Sequence, residues 1–276
     1  MNYNKITGSL FFMILLYGCT NINNHKYIKI LNEELSKPAI TNGFHFSTKL
    51  THTPTIQFTL SGKNLFFAVD TASVGNFMLG SKSIKQIVNK KLYKIANMID
   101  LEDGHILSVT IDKNVFLLDP KGIFTSGLKR NPYDGFIGLT YLEKYKNVVF
   151  DYKNKVIHFN QEPICDNELP MHKKNNLWFT IIECNGVESN ALIDTGCFSV
   201  FINKQNVKNT INDDQLINIK LGSTVINNIS LKYNNTLVTN KNARNTIYKN
   251  ENIIGYPCFK DHVIQLDFEN NVFRIK

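Results

Sequence analysis

A mostly β fold built from two similar halves is what this sequence predicts, and three observations predict it. A strand–turn–strand pattern ending in an acidic residue occurs twice. An apolar pair followed by glycine comes after each copy, and a further strand–turn–strand pattern closes each half. Long helical periodicity is scarce, with Ser83 to Ala96 the best helix candidate.

The first copy opens on the strand-like run Pro54 to Leu60. Turn chemistry follows at Ser61-Gly62-Lys63-Asn64, then a second run, Leu65 to Val69, delivers Asp70. The second copy runs from Leu177 to Cys184, turns at Asn185-Gly186 and leads through Val187 to Ile193 into Asp194. Asn-Gly is a strong hairpin signal, because both central residues of the favoured turn need positive φ. The closing elements correspond as well. Phe136-Ile137-Gly138 precedes Val148-Val149-Phe150-Asp151-Tyr152, then Asn154 and Val156; Ile253-Ile254-Gly255 precedes Val263 to Phe268, then Asn270 and Val272. The order of these matches, more than any single one, marks an internal duplication. The halves are placed at residues 44–160 and 177–276, joined by a linker at 161–176.

The chain has 276 residues, 43% of them hydrophobic, enough for one large domain or two of ordinary size. Its net charge of +8 comes mostly from scattered Lys. Nucleic-acid binders cluster Arg and Lys among aromatics, and no such patch is present, so no nucleic-acid partner is expected. The cysteines after Cys19 are Cys165, Cys184, Cys197 and Cys258, in no zinc-binding spacing and without a His cluster. No metal and no cofactor is expected, and four cysteines leave the choice of disulfide pairing open.

At the N-terminus Lys5 precedes an apolar run from Leu10 to Leu16, too short to span a bilayer comfortably but long enough for an export signal. Residues 1–18 read as signal peptide and 19–43, rich in Asn and Lys, as a tether. Leu16-Tyr17-Gly18-Cys19 resembles the lipobox of bacterial lipoproteins, with bulky Tyr17 a departure. The resemblance implies lipid modification of Cys19 and attachment to a membrane of the bacterial cell envelope. An uncleaved signal anchor, or a plain signal peptide with an incidental Cys, are the alternatives.

The two acidic loops read Asp70-Thr71-Ala72-Ser73 and Asp194-Thr195-Gly196-Cys197. With their apolar lead-ins and the later apolar-apolar-Gly elements, they resemble the pepsin and retropepsin superfamily of aspartic proteases, from about Thr53 to the C-terminus. That resemblance implies a pepsin/retropepsin-like acid protease barrel with two lobes about a pseudo-two-fold axis. It makes Asp70 and Asp194 the catalytic pair, with Thr71, Thr195, Ala72 and Gly196 supporting it, and a peptide or protein as substrate. The chemistry needs two carboxylates in contact, since they cannot both ionise and so share a proton at moderately acid pH. Ala72 departs from the family glycine, and its methyl collides if the backbone needs positive φ or substrate lies close. Cys197 stands where Ser or Ala is usual and reads as a small hydrophobe, not a nucleophile.

The superfamily covers its cleft with a hairpin flap, for which Leu101 to Leu107 and Ile219 to Val225 are the candidates. His105 could touch substrate there, though a lone loop His is more often solvated; Trp178 is expected in the core. A binding protein that keeps the cleft without catalysis is the second expectation, and Ala72 favours it. A monomer is expected, because duplication within one chain makes a retropepsin-like homodimer unnecessary.

Overall fold

The computed structural model describes residues 35, 42–49, 52–60, 63–73, 77–79, 98–100, 105–106, 109–110, 114–117, 133, 135–203, 216–233 and 251–276. The signal stretch with Cys19, most of the tether and the expected helix at 83–96 lie outside them.

The described structure is mostly β, with two short helices. In the first half, β1 (Gly43–His45) is followed by β2 (Thr55–Leu60) and β3 (Lys63–Asp70), which pair antiparallel as the predicted hairpin. The strands β4 (Phe77–Leu79), β5 (Met98–Asp100), β8 (Asn114–Leu117) and β9 (Gly135–Gly138) complete a six-stranded sheet in the order β2-β3-β9-β4-β8-β5. A small hairpin of β6 (His105–Ile106) and β7 (Val109–Thr110) forms a separate two-stranded sheet. After β9 come α1 (Leu139–Leu142) and the hairpin of β10 (Asn147–Asp151) and β11 (Val156–Phe159).

The second half comprises β12 (Glu168–Lys174), β13 (Leu177–Cys184), β14 (Val187–Ile193), β15 (Val200–Ile202), β16 (Leu216–Leu221) and β17 (Thr224–Tyr233). Then follow β18 (Asn252–Ile254), α2 (Tyr256–Phe259), β19 (Val263–Asp267) and β20 (Val272–Ile275). Asn185 and Gly186 hold φ of 51° and 73° between β13 and β14, the pair of left-handed residues that this turn requires. In β14 the outer residues alternate in exposure, whereas Ala191, Leu192 and Ile193 are all buried. These last three lie between β13 and β18, covered on both faces, which is why the run there is continuously apolar.

The strand order β13-β14-β18-β15-β17-β16 repeats that of the first sheet, and the sense of each pairing repeats too. β3 lies parallel to β9 and β14 parallel to β18; β4 lies antiparallel to β9 and parallel to β8, as β15 does to β18 and β17. The closing hairpins share a turn device. Asp151 accepts from the Asn154 N–H and side-chain amide at 2.8 and 2.7 Å, and Asp267 accepts likewise from Asn270 at 3.0 and 2.9 Å.

Two features were not expected. The linker contains a strand: β12 pairs with both β13 and β20, burying Leu169 and Met171. And β10 pairs antiparallel with β19, so the ends of the two halves join in one twelve-stranded sheet. One apolar cluster runs through both halves, from Phe67, Val69 and Phe150 to Phe179, Leu192 and Phe273. Trp178 is buried as expected, with its indole N–H donating to Glu143 at 2.6 Å.

Candidate active site

Asp70 is the last residue of β3, and Asp194 directly follows β14. Each chain turns sharply after its Asp, and the carboxylate caps the turn. Asp70 Oδ1 accepts the Ala72 N–H and Asp194 Oδ1 the Gly196 N–H, both at 2.9 Å. The apolar-apolar-Gly elements then clamp the loops from behind. Leu139 N–H donates to Ser73 O at 2.7 Å, and Tyr256 N–H donates to Cys197 O at 2.8 Å.

The threonines join the loops. Thr71 N–H donates to Thr195 Oγ1 at 3.1 Å, and Thr195 N–H donates to Thr71 Oγ1 at 3.0 Å. Each hydroxyl in turn donates into the opposite strand: Thr71 to Ile193 O at 2.7 Å and Thr195 to Val69 O at 2.9 Å. Four buried bonds, equivalent in pairs, thus fix one acidic loop to the other across 124 residues of sequence. Because the loops are held this way, the Asp70 and Asp194 carboxyls meet and share a side-chain hydrogen bond.

Both carboxyls are nearly inaccessible, at 5% and 6% exposure. Burial pushes the Asp70 carboxyl up to about 6, opposed by the Ala72 N–H and by the hydrogen bond from Asp194. Burial raises Asp194 well above the usual carboxylate range, and the neighbouring Asp70 charge raises it further. In this arrangement the two carboxyls titrate as one coupled pair, and both are displaced toward the protonated form.

The glycine of the second loop is needed for closeness, not for its φ. A methyl group built on Gly196 falls 2.7 Å from Asp70 Cγ and 2.9 Å from both its oxygens. Gly255 is equally confined, its methyl position lying 2.4 Å from Cys197 O. Ala72 is absent from the described residues with positive φ and is buried without backbone strain, so that part of the concern about its methyl falls away. Cys197 is buried, and desolvation followed by the Asp194 charge pushes its thiol well up; it donates to Ser199 O at 3.1 Å. A thiol held neutral in this way is a packing group, not a nucleophile. Cys165, Cys184, Cys197 and Cys258 are all free.

The hairpin at 219–225 turns away from the acidic pair. Its Ser223 N–H donates to Asn167, whose amide donates to Leu221 O, and Lys220 pairs with Glu183 of β13, which lies opposite Glu188 near the start of β14, the end away from Asp194. Of the other flap candidate, His105 and Ile106 form β6, and the positions before them lie outside the described residues. The sequence reading missed Thr53, whose hydroxyl donates to Gly196 O at 3.1 Å and ties the entry of β2 to the second loop. Nothing local to Thr53-Pro54 announces a partner so distant in sequence. Among the described residues no His, Cys, Asp and Glu side chains gather as a metal site.

No family model and no curated protein matches this chain.

Proposed function

We propose that the chain is an aspartic endopeptidase of the pepsin and retropepsin type, with one active site between two related lobes and a pseudo-two-fold axis between Thr71 and Thr195. The observation that carries this reading is the reciprocal threonine bonding, which presses two buried carboxyls into contact. Two carboxyls without that need would be kept apart, since burial and mutual repulsion both disfavour ionising them. The repeated strand order supports the two-lobe part of the reading.

Hydrolysis needs one carboxyl ionised and the other protonated, and we assign Asp70 as the base and Asp194 as the acid. Asp70, ionised, takes a proton from a water while the water oxygen bonds to the carbonyl carbon of the scissile peptide, and Asp194 gives its proton to the carbonyl oxygen. The tetrahedral diol then collapses: the C–N bond breaks, nitrogen takes the proton held on Asp70, and a hydroxyl proton returns to Asp194. Water and peptide go in, acid and amine come out, and no metal or covalent intermediate is required.

Asp70→Asn and Asp194→Asn should each abolish cleavage of an unfolded protein substrate between about pH 3 and 7 while leaving the fold intact. The second reading, a non-catalytic envelope protein that holds peptides, is favoured by Ala72. Parent protein that binds peptides but cleaves none over that range, with Ala72→Gly equally inert, would replace the first reading by the second. The lipobox-like Gly18-Cys19 supports export and a lipid anchor. Cys19→Ser should then stop processing or release the chain from membranes; normal processing and unchanged fractionation would refute the anchor.

A further inference from the structure

Tyr152 follows Asp151 at the end of β10, and the corresponding residue after Asp267 in the second half is Phe268. The turn device is the same in both places, so the fold asks for an aromatic ring twice and for a hydroxyl once. The Tyr152 ring is 1% exposed. It meets Phe46 edge-on at 5.4 Å and Tyr256 at 6.2 Å, and lies tilted against Phe259 at 6.0 Å. Its hydroxyl is buried without a hydrogen-bond partner in the protein. Native interiors leave few polar groups unserved, because an unpaired buried donor forfeits its bond to water and gains nothing in exchange.

The surroundings of that hydroxyl lead to the second acidic loop. Tyr256, whose ring packs against that of Tyr152, belongs to α2, and the Tyr256 N–H holds Cys197 O, three residues beyond Asp194. Among the described residues, the groups around Tyr152 that carry or can carry charge include Lys155, Tyr256, His52, Asp194 and His262, whose carbonyl accepts the Tyr152 N–H at 3.2 Å. Lys155 Nζ lies 5.8 Å from the Tyr152 ring and donates to Thr48 Oγ1, while His52 stacks on Tyr256 at 4.5 Å. Phe46, Phe150 and Phe259 bring no charge. Burial first and the Asp194 charge second push the phenol well up, so it is a neutral O–H donor throughout the range in which the pair titrates.

We propose that the Tyr152 hydroxyl is a positioning group behind the acidic pair, donating through one internal water to the Asp194 side and favouring the singly ionised pair over the doubly protonated one. The inference rests on reading Asp70 and Asp194 as a proton-sharing pair. Internal waters are retained where they serve buried polar groups, and the unserved Tyr152 hydroxyl is such a group.

The test compares the full chain with Tyr152→Phe, a change whose product is already tolerated at Phe268. Carboxyl titration by NMR with 13C-labelled Asp needs no cleavage, and thermal melting and the pH profile of peptide cleavage accompany it. The expected result is a folded variant whose pair titrates higher by roughly half a unit or more. Its cleavage profile should move by the same amount and its Tm should fall by a few degrees, and a high-resolution crystal structure of the parent should place a water on Tyr152 Oη. An unchanged pair titration with an equal or higher Tm overturns the inference alone, leaving the hydroxyl as an unserved group whose removal costs nothing. If the parent's Asp70 and Asp194 titrate as two ordinary, independent carboxyls, the paired reading fails, and this one with it.

Discussion

Replacing Thr195 by Val removes a hydroxyl at nearly constant volume, and the threonine bonding fixes what that costs. The hydroxyl donates to Val69 O at 2.9 Å and accepts from Thr71 N–H at 3.1 Å, at a site with no exposure to solvent. Thr195→Val therefore strands one carbonyl and one N–H, each at about 1–3 kcal/mol. Together that is roughly 2–6 kcal/mol, a large part of a typical domain's 5–15 kcal/mol. With a urea slope of about 2 kcal/mol/M, the unfolding midpoint should fall by roughly 1–3 M. Thr195→Ser is the control: it keeps both bonds and loses a methyl group, at about 1 kcal/mol. Urea titration followed by intrinsic fluorescence, with Trp178 as reporter, measures both. If Thr195→Val unfolds at the same urea concentration as Thr195→Ser, the hydroxyl does not hold the loops together and the account of the paired carboxyls loses its support.

The carboxyl pair should also make stability depend on pH. Both groups have pKa values raised on folding, so their contribution is fully present below the unfolded value near 3.8 and is lost as pH rises through the folded values; for Asp70, raised to about 6, the loss is about 3 kcal/mol. Because Asp267 is shifted downward and works in the opposite sense, the measurement is the difference between parent and Asp70→Asn/Asp194→Asn, which should grow in favour of the variant from pH 4 to 7.5; a difference independent of pH would contradict it. Gly196→Ala should push the Asp70 carboxyl aside and cost roughly 1–3 kcal/mol, whereas Ala72→Gly should cost no more than about 1 kcal/mol in backbone entropy. Equal unfolding midpoints for the two variants would show that the 2.7 Å approach is relieved at no cost.

What the sequence revealed and what it concealed divide along the range of the interactions. The hairpin of β13 and β14 was legible to the residue, because Asn185-Gly186 encodes its turn and the flanking runs carry their own apolar pattern. The strand β12 was not, since Pro170 interrupts it and three polar residues end it, hiding the short alternation of Leu169 and Met171. The flap candidate Ile219 to Val225 is a hairpin, but nothing in its sequence says which end of the sheet it occupies, a matter settled by Asn167, far away in sequence. The two Asp-Thr loops announced themselves locally, yet the bonds that bring them together run between residues 124 apart, and only the resemblance to a known family anticipated them. Ala72 reads as a departure in the sequence because sequence names a residue type but not its φ.

The ladder between β10 and β19 sets a timetable for the molecule's birth. Residues Asn147 to Asp151 form their hairpin with β11 early, but their other edge must wait for Val263 to Asp267, made more than a hundred positions later. Until those residues arrive, β10 offers an open row of amides and carbonyls to any passing strand. Contacts so distant along the chain also form slowly. A newly made copy is therefore most vulnerable to sticking to its neighbours late in synthesis. A keeper that holds the chain extended through that interval would shield one particular strand, and a copy truncated before Val263 would never outgrow the need for it.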